Sequence, residues 1–320
     1  MKKNNNIFSS SFMEKNRKKI NELYAKTANT SFPIAFIPIL WFLIFFIIPL
    51  FIIFKISFSE SVFGIPPYTD VFVWGKDHLI KICINFHNYF VLFKDSYYKT
   101  AFFNSILLST FSTILCLVMG YIMAYGIFQM KIQYRNTVLL LVSMSLWISF
   151  LVRIYAWMNL LSPNGLLNSM LLGLGIVNSP IKFLGNYYVV CMGMVFCYLP
   201  FMILPIYASM TKIDRSCIEA AIDLAANQFR TFSEVTIPLT KHGIIAGCVL
   251  VFTTTMGEFV IPELLGSPST ITMGRILWIE FFNNIDFPMA CALSVVFVMF
   301  VIFPVYYLQK GTGKELEITQ

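Results

Sequence analysis

The chain is expected to fold as an all-α membrane protein with six transmembrane helices. Three observations carry that expectation. The 320 residues are 58% hydrophobic, with a mean hydropathy of +0.73, where a soluble domain is about 45–50% apolar. Charged residues make up 12%, roughly half the usual share of about 25%. The apolar residues are also gathered into separate runs of membrane-spanning length, divided by loops whose basic residues alternate in abundance.

A helix crosses the hydrocarbon layer with about 20 predominantly apolar residues. Six stretches meet that length: 32–54, 101–128, 137–160, 187–209, 243–261 and 289–308. The first has no charge and holds Pro33, Pro38 and Pro49. Prolines are tolerated in such helices because neighbouring groups take up the freed carbonyls. Residues 1–31 are polar and basic and show no A-x-A cleavage site before the first span, so that span reads as an uncleaved anchor. The organisation is a tail at 1–31, a membrane domain at 32–308 and a second tail at 309–320.

Orientation follows from the basic residues. Lys2, Lys3, Lys15, Arg17, Lys18, Lys19 and Lys26 precede the first span. Lys131 and Arg135 lie in the second loop, Lys212, Arg215, Arg230 and Lys241 in the fourth, and Lys310 and Lys314 in the last tail. The opposite side holds only Lys76, Lys81, Lys94, Lys99, Lys182 and Arg275. The positive-inside rule then places both termini in the cytoplasm of a multi-pass inner-membrane protein. The net charge of +7 is accounted for by topology, which removes nucleic acid as a partner. The seven cysteines form no C-x-x-C pair and fall mostly in apolar runs, and His78, His87 and His242 are scattered. Neither a disulfide framework nor a metal site is indicated, and no clustered His, Asp or Ser chemistry points to a membrane enzyme.

Two loops stand out. The external loop 57–100 carries Pro66-Pro67 and balances its lysines with Glu60, Asp70, Asp77 and Asp95, and it is long enough to form an ordered element. The cytoplasmic loop 210–242 holds two capping-box patterns. In the first, Ser216 caps a helix and Glu219 reaches back, with Asp214 as a rival cap. The second is Thr231-Phe232-Ser233-Glu234, followed by Pro238, which is expected to end that short helix. Ile218, Ala221, Ile222 and Ala225 fall at helical spacing on one apolar stripe of mostly small side chains. Such a stripe suits either a docking partner or a lipid surface.

The residues of this loop carry a resemblance. Glu219-Ala220-Ala221-Ile222-Asp223-Leu224-Ala225-Ala226, with Phe232 and Ile237-Pro238-Leu239, resembles the EAA loop of bacterial ABC-importer permeases. The resemblance implies a type I importer permease fold with a cytoplasmic EAA coupling segment. That segment docks an ATPase through Glu219, Ala220, Ala221, Asp223, Ala225 and Pro238. The usual pattern has Gly at the position of Ala225, a residue that accepts positive φ freely, which implies a bend there. Ile65-Pro66-Pro67-Tyr68-Thr69, 150–158, 257–266 and 281–288 are together similar to the spermidine/putrescine permease family, nearest its putrescine-transport members. This implies a complex of an ATP-binding cassette ATPase dimer, a second permease subunit and an external or periplasmic polyamine-binding protein. Gly311-Thr312-Gly313-Lys314 lacks the first Gly of a phosphate-binding loop, so this chain binds no cofactor of its own, and ATP is used by the partner ATPase.

A flexible polycation is met by carboxylates, carbonyls and aromatic faces, and charges inside a span normally face the bundle interior. Glu258 and Arg153 lie at similar depths in the fifth and third spans. Two readings stand open: Glu258 attracts the cargo, or the two residues pair structurally. Tyr155 and Trp157 either line the path or anchor the interface. Glu263, Glu280 and Asp286, on the last external loop, are candidates to meet cargo or the binding protein. The rival function is an ATPase-independent secondary transporter or a channel, which would need no docking loop.

Overall fold

The computed structural model describes residues 36–74, 80–82 and 84–318, so readings that fall on the tail 1–31, Pro33, Lys76, Asp77, His78 and Cys83 lie outside the described residues. The chain divides into two units, residues 1–56 and 57–320. The first contributes one helix, α1 (Phe36–Ile56). It contains a wide π turn over Leu43–Ile47, closed by the Ile48 N–H on the Leu43 carbonyl. The turn comes immediately before Pro49, whose ring would press on the carbonyl four residues back in a regular α-turn. Aromatic side chains stack at i, i+4 along it, Trp41 on Phe45 and Phe42 on Phe46.

The second unit opens with the 57–100 segment, whose described residues hold two short strands and a helix. Strands β1 (Phe72–Trp74) and β2 (Ile80–Ile82) pair antiparallel, with Phe72 opposite Ile82. Helix α2 (His87–Lys94) follows. Its buried Asn88 donates to the Ser57 and Ser59 carbonyls at 3.2 and 2.9 Å, tying the helix to the start of the segment.

The core is built from three helices: α3 (Ser96–Gln129), α7 (Tyr187–Met210) and α10 (Lys241–Met256). Between α3 and α7 lie α4 (Ile132–Trp147), α5 (Phe150–Leu161) and α6 (Leu166–Gly173). Among the described helices, α1, α3 and α7 are each long and apolar enough to cross a membrane. Two bent pairs raise the number to five if each is one span: 132–147 with 150–173, bent by 93°, and Gln228–Leu239 with Lys241–Met256, bent by 66°. The expected continuous third span is therefore broken at Ile148–Ser149, where Ile148 is extended and Ser149 leaves the helical region with ψ of 133°. The expected fifth span stops at Gly257, and Ile261 belongs to the next helix, α11 (Val260–Leu265). Helix α12 (Met273–Trp278) runs into a π turn over Ile279–Asn283. The last helix, α13 (Phe287–Ile318), contains the apolar stretch Phe287–Phe303, which falls short of a full crossing, and it takes in Gly311–Lys314 as helix rather than as a loop.

Lipid tails are as apolar as leucine, so membrane helices associate by close packing, with small residues at the contact. Met202 of α7 shows this: a Cβ added to Gly120 of α3 would sit 2.8 Å from its Cγ, and one added to Gly247 of α10 would sit 2.7 Å from its Sδ. At Gly243 the approach is of backbone to backbone, with the Pro205 carbonyl oxygen 2.6 Å from where a Cβ would stand. Around these contacts Leu108, Met194, Ile203, Ile206 and Val251 are fully buried. A smaller cluster joins Leu92, Ala101, Ile276 and Leu293, holding α2 and α12 to α3 and α13.

Candidate functional site

The loop between α7 and α10 folds into two helices, α8 (Arg215–Asp223) and α9 (Gln228–Leu239), the latter widened by a π turn over Phe232–Thr236. Helix α8 is capped by Asp214, whose carboxylate accepts from the Ser216 N–H at 3.1 Å. That corrects the reading of Ser216 as cap: Asp214 keeps the extended backbone a cap requires, and Ser216 already lies inside the first turn. Glu219 is therefore mid-helix and exposed, and makes no reciprocal bond. We expect Asp214→Ala to weaken α8 by about 1 kcal/mol and Ser216→Ala to leave it unchanged. Amide exchange in the first turn of α8 measures both, and equal effects would contradict the assignment.

The second capping box is corrected in the same way. Asn227 caps α9, accepting from the Arg230 N–H at 2.7 Å, while Thr231 is buried within the helix. Glu234 instead pairs with the exposed Arg230 one turn back, at 3.0 Å. Pro238 does not end the helix. It sits within the last turn, and the bend comes at Thr240. The π turn again precedes an Ile-Pro step, as it does before Pro49.

The end of α8 is a Schellman motif. The Ala226 N–H reaches the Ala221 carbonyl at 3.1 Å and the Ala225 N–H reaches the Ile222 carbonyl at 2.9 Å. Ala225 stands at the position that needs a left-handed backbone and has φ of +58°. A non-glycine residue there bears roughly 1–2 kcal/mol. Allowing for the greater freedom of glycine in the unfolded chain, we expect Ala225→Gly to stabilise the turn by about 1 kcal/mol and Ala225→Val to destabilise it. Slower exchange of the Ala226 amide in the glycine variant is the expected reading, and faster exchange would show that the bend is not strained.

The apolar stripe divides at this turn. Ile218 and Ala221 face inward and are half-buried, whereas Ile222 (57%), Leu224 (85%) and Phe229 (77%) are exposed. Ala220, Asp223 and Cys217 are exposed beside them. The resulting surface is a short, sharply turned helix pair presenting three large apolar side chains with Glu219 and Asp223 around them. Behind it lies a cavity of about 300 Å³, lined by Tyr125, Phe128 and Gln129 of α3, Ile218 and Glu219 of α8, and Thr231 and Thr236 of α9.

Arg153 and Glu258, the two charges expected within spans, converge on one stretch of α7. Arg153, on α5, donates to the Cys197 carbonyl at 3.2 Å and lies over the Phe150 ring. Cys197 is next to Phe196, whose carbonyl has lost its helical donor to Pro200. Glu258 is buried and takes its donors from three places: the Tyr198 hydroxyl, the Val260 N–H at 2.9 Å and the Ile261 N–H at 3.4 Å. It thus closes the open first turn of α11, where negative charge is favoured. Arg153 and Glu258 meet α7 at consecutive residues, but no ion pair joins them among the described residues. Sequence reasoning missed Tyr198 because it looked for a partner of opposite charge rather than a hydroxyl and a helix end.

The other expected path residues also hold internal partners. Glu263 pairs with Arg275 at 2.6 Å, Asp286 accepts from the Met289 N–H at 3.0 Å at the start of α13, and Glu280 is buried against the Tyr98 hydroxyl at 2.9 Å. Trp157 packs edge-to-face on Phe196, and Tyr155 is exposed. Next to Glu258, Phe259 stacks on Trp278 at 4.7 Å, and Trp278 contacts Phe282 at 4.1 Å.

Residues 116–310 match the family described as binding-protein-dependent transport system inner membrane component. The chain is 34% identical over 281 residues to the spermidine/putrescine transport system permease protein PotB of Haemophilus influenzae, covering 87% of this chain and 93% of that protein. It is 35% identical over 216 residues to PotB of Escherichia coli K12, covering 68% and 78%. A bacterial ABC transporter involved in the import of the acidic polysaccharide alginate has a chain of the same fold, with a TM-score of 0.62 at 20% identity over 93% of this chain and 98% of that one.

Proposed function

The chain belongs to the binding-protein-dependent transport system inner membrane components, and from that membership we propose that it forms the membrane pathway by which a polyamine, putrescine first, enters the cytoplasm. It is a multi-pass permease subunit of an ABC importer and not an enzyme, and ATP is hydrolysed on the partner ATPase. The observation that carries the proposal is the α8–α9 surface. An exposed helix of nine residues, ended by a strained left-handed turn and flanked by Ile222, Leu224 and Phe229, suits insertion into a cleft on another protein. Glu219, Ala220, Ala221, Asp223, Ala225 and Pro238 form or shape that surface. An ATPase dimer docks there from the cytoplasm, a second permease subunit completes the pathway, and a polyamine-binding protein delivers cargo from outside. The excess of basic residues in the tails and in the loop holding α8 and α9 supports this orientation.

Support for a polyamine comes from the residues of 65–69, 150–158, 257–266 and 281–288 and from the names of the relatives that match. Arg153, Glu258, Glu263 and Asp286 are held by internal partners, which suits shaping the walls of the path. The stacked faces of Phe259, Trp278 and Phe282, together with Tyr155 and Trp157, are surfaces on which an alkylammonium group gains cation–π attraction. The test is reconstitution with the ATPase, the second permease and the binding protein in vesicles. ATP-driven uptake of labelled putrescine is expected, with spermidine as the competing cargo. Uptake of neither, with ATP hydrolysed normally, would overturn the polyamine assignment.

A further inference from the structure

We propose that Phe232, gripped between Tyr121 and Tyr125, is the joint that passes movement of the docking helices into the membrane core; the proposal rests on the reading of α8 and α9 as the ATPase dock. The ring of Phe232 meets Tyr121 edge-on at 5.5 Å and 84°, and Tyr125 at 5.0 Å and 75°. Both tyrosines belong to α3, one helical turn apart. Edge-to-face pairs have a preferred geometry, so two of them fix the direction as well as the position of the ring between them.

Tyr121 holds the segment a second time. Its hydroxyl lies 3.0 Å from Thr240 Oγ1, and Thr240 is fully buried at the bend between α9 and α10. The same threonine hydroxyl lies within 2.9 Å of the Thr236 carbonyl, binding the bend to the π turn. One side chain of α3 therefore touches both ends of the turn that links the docking surface to a core helix. Tyr121 is itself buried in the main core, where α3 packs on α7 and α10.

The cavity of about 300 Å³ separates Ile218 and Glu219 of α8 from Phe128 and Gln129 at the end of α3. The hydroxyl of Thr231 at its edge is buried without a hydrogen-bond partner. A push on α8 at Ile218 and Glu219 meets this cavity. It travels along α9 to Phe232 and Thr240 and reaches the core through Tyr121.

The test uses the assembled complex in vesicles and compares three quantities: the amount of complex, ATP hydrolysed and cargo taken up, using whichever polyamine the wild type carries. Failure of the transport reading shows in the wild type, whereas failure of the joint shows only in the ratio of variant to wild type. Phe232→Ala is expected to assemble and hydrolyse ATP while uptake per ATP falls at least tenfold. Phe232→Leu, which keeps apolar bulk without a ring, should fall several-fold, and Phe232→Tyr should recover most of the wild-type value. Tyr121→Phe, which keeps the ring and loses the bond to Thr240, should fall several-fold. Unchanged uptake per ATP in the alanine or leucine variant overturns the proposal. So does loss of assembled complex in both, since that assigns Phe232 to packing alone.

Discussion

Substituting leucine for Gly243 will remove most of the folded chain from the membrane. A Cβ at this position falls 2.5 Å from the Ser209 Cβ, 2.6 Å from the Pro205 oxygen and 3.1 Å from the Ile206 Cα, and two of these atoms are backbone that no rotamer change can move aside. Overpacking a core costs roughly 1–3 kcal/mol when side chains can yield. Where α7 itself must be displaced we expect about 3 kcal/mol or more, enough to unfold a marginally stable protein. Gly126 is the internal control. It lies on α3 with nothing within 4 Å of its would-be Cβ, so Gly126→Ala should be neutral or stabilise by up to about 1 kcal/mol. The yield of monodisperse protein in detergent and its thermal midpoint decide the matter. Similar values for the two variants would mean that α7 and α10 are not in the contact described.

The second large effect is expected at Glu258. Leucine there strands the Tyr198 hydroxyl and two N–H groups of α11 in a buried place. Each such unsatisfied group costs about 1–3 kcal/mol, so Glu258→Leu should lose about 3 kcal/mol or more. Glu258→Gln keeps one carbonyl oxygen for the Val260 N–H and should lose about 1 kcal/mol. Because the carboxylate is bound to Tyr198 and not to Arg153, a double-mutant cycle of Tyr198→Phe with Glu258→Gln should give about 1 kcal/mol of coupling. The cycle of Arg153→Gln with Glu258→Gln should give less. The reverse order would restore the ion-pair reading.

These two sites also mark how far sequence reasoning reached. Two of the expected spans were readable outright, because a membrane demands long apolar runs and those at 101–128 and 187–209 lie within α3 and α7. The break at Ile148–Ser149 was not readable. No proline or glycine marks it, and Trp147-Ile148-Ser149-Phe150 is as apolar as the helices on either side. By contrast Pro200 and Pro205, which look like breakers, lie inside an unbroken α7. The residues of loop 210–242 predict the two helices found there, but Ser216 and Thr231 lie two and four residues beyond the true caps. Asp214, Ser216, Asn227 and Thr231 are all good caps, and only the backbone distinguishes them. The π turns have a signal that was overlooked, since Ile48-Pro49 and Ile237-Pro238 each follow one.

The cysteines of the described residues differ sharply in exposure. Cys116, Cys191, Cys197 and Cys291 are buried and Cys248 is half-buried, while Cys217 lies exposed on α8. The protein thus carries its own reporter. Among the cysteines of the described residues, a maleimide dye added to the native chain in detergent should attach first at Cys217, without any engineered thiol. On the proposed docking of the ATPase at α8, the rate of attachment should fall when the ATPase is added, and an unchanged rate would count against docking there.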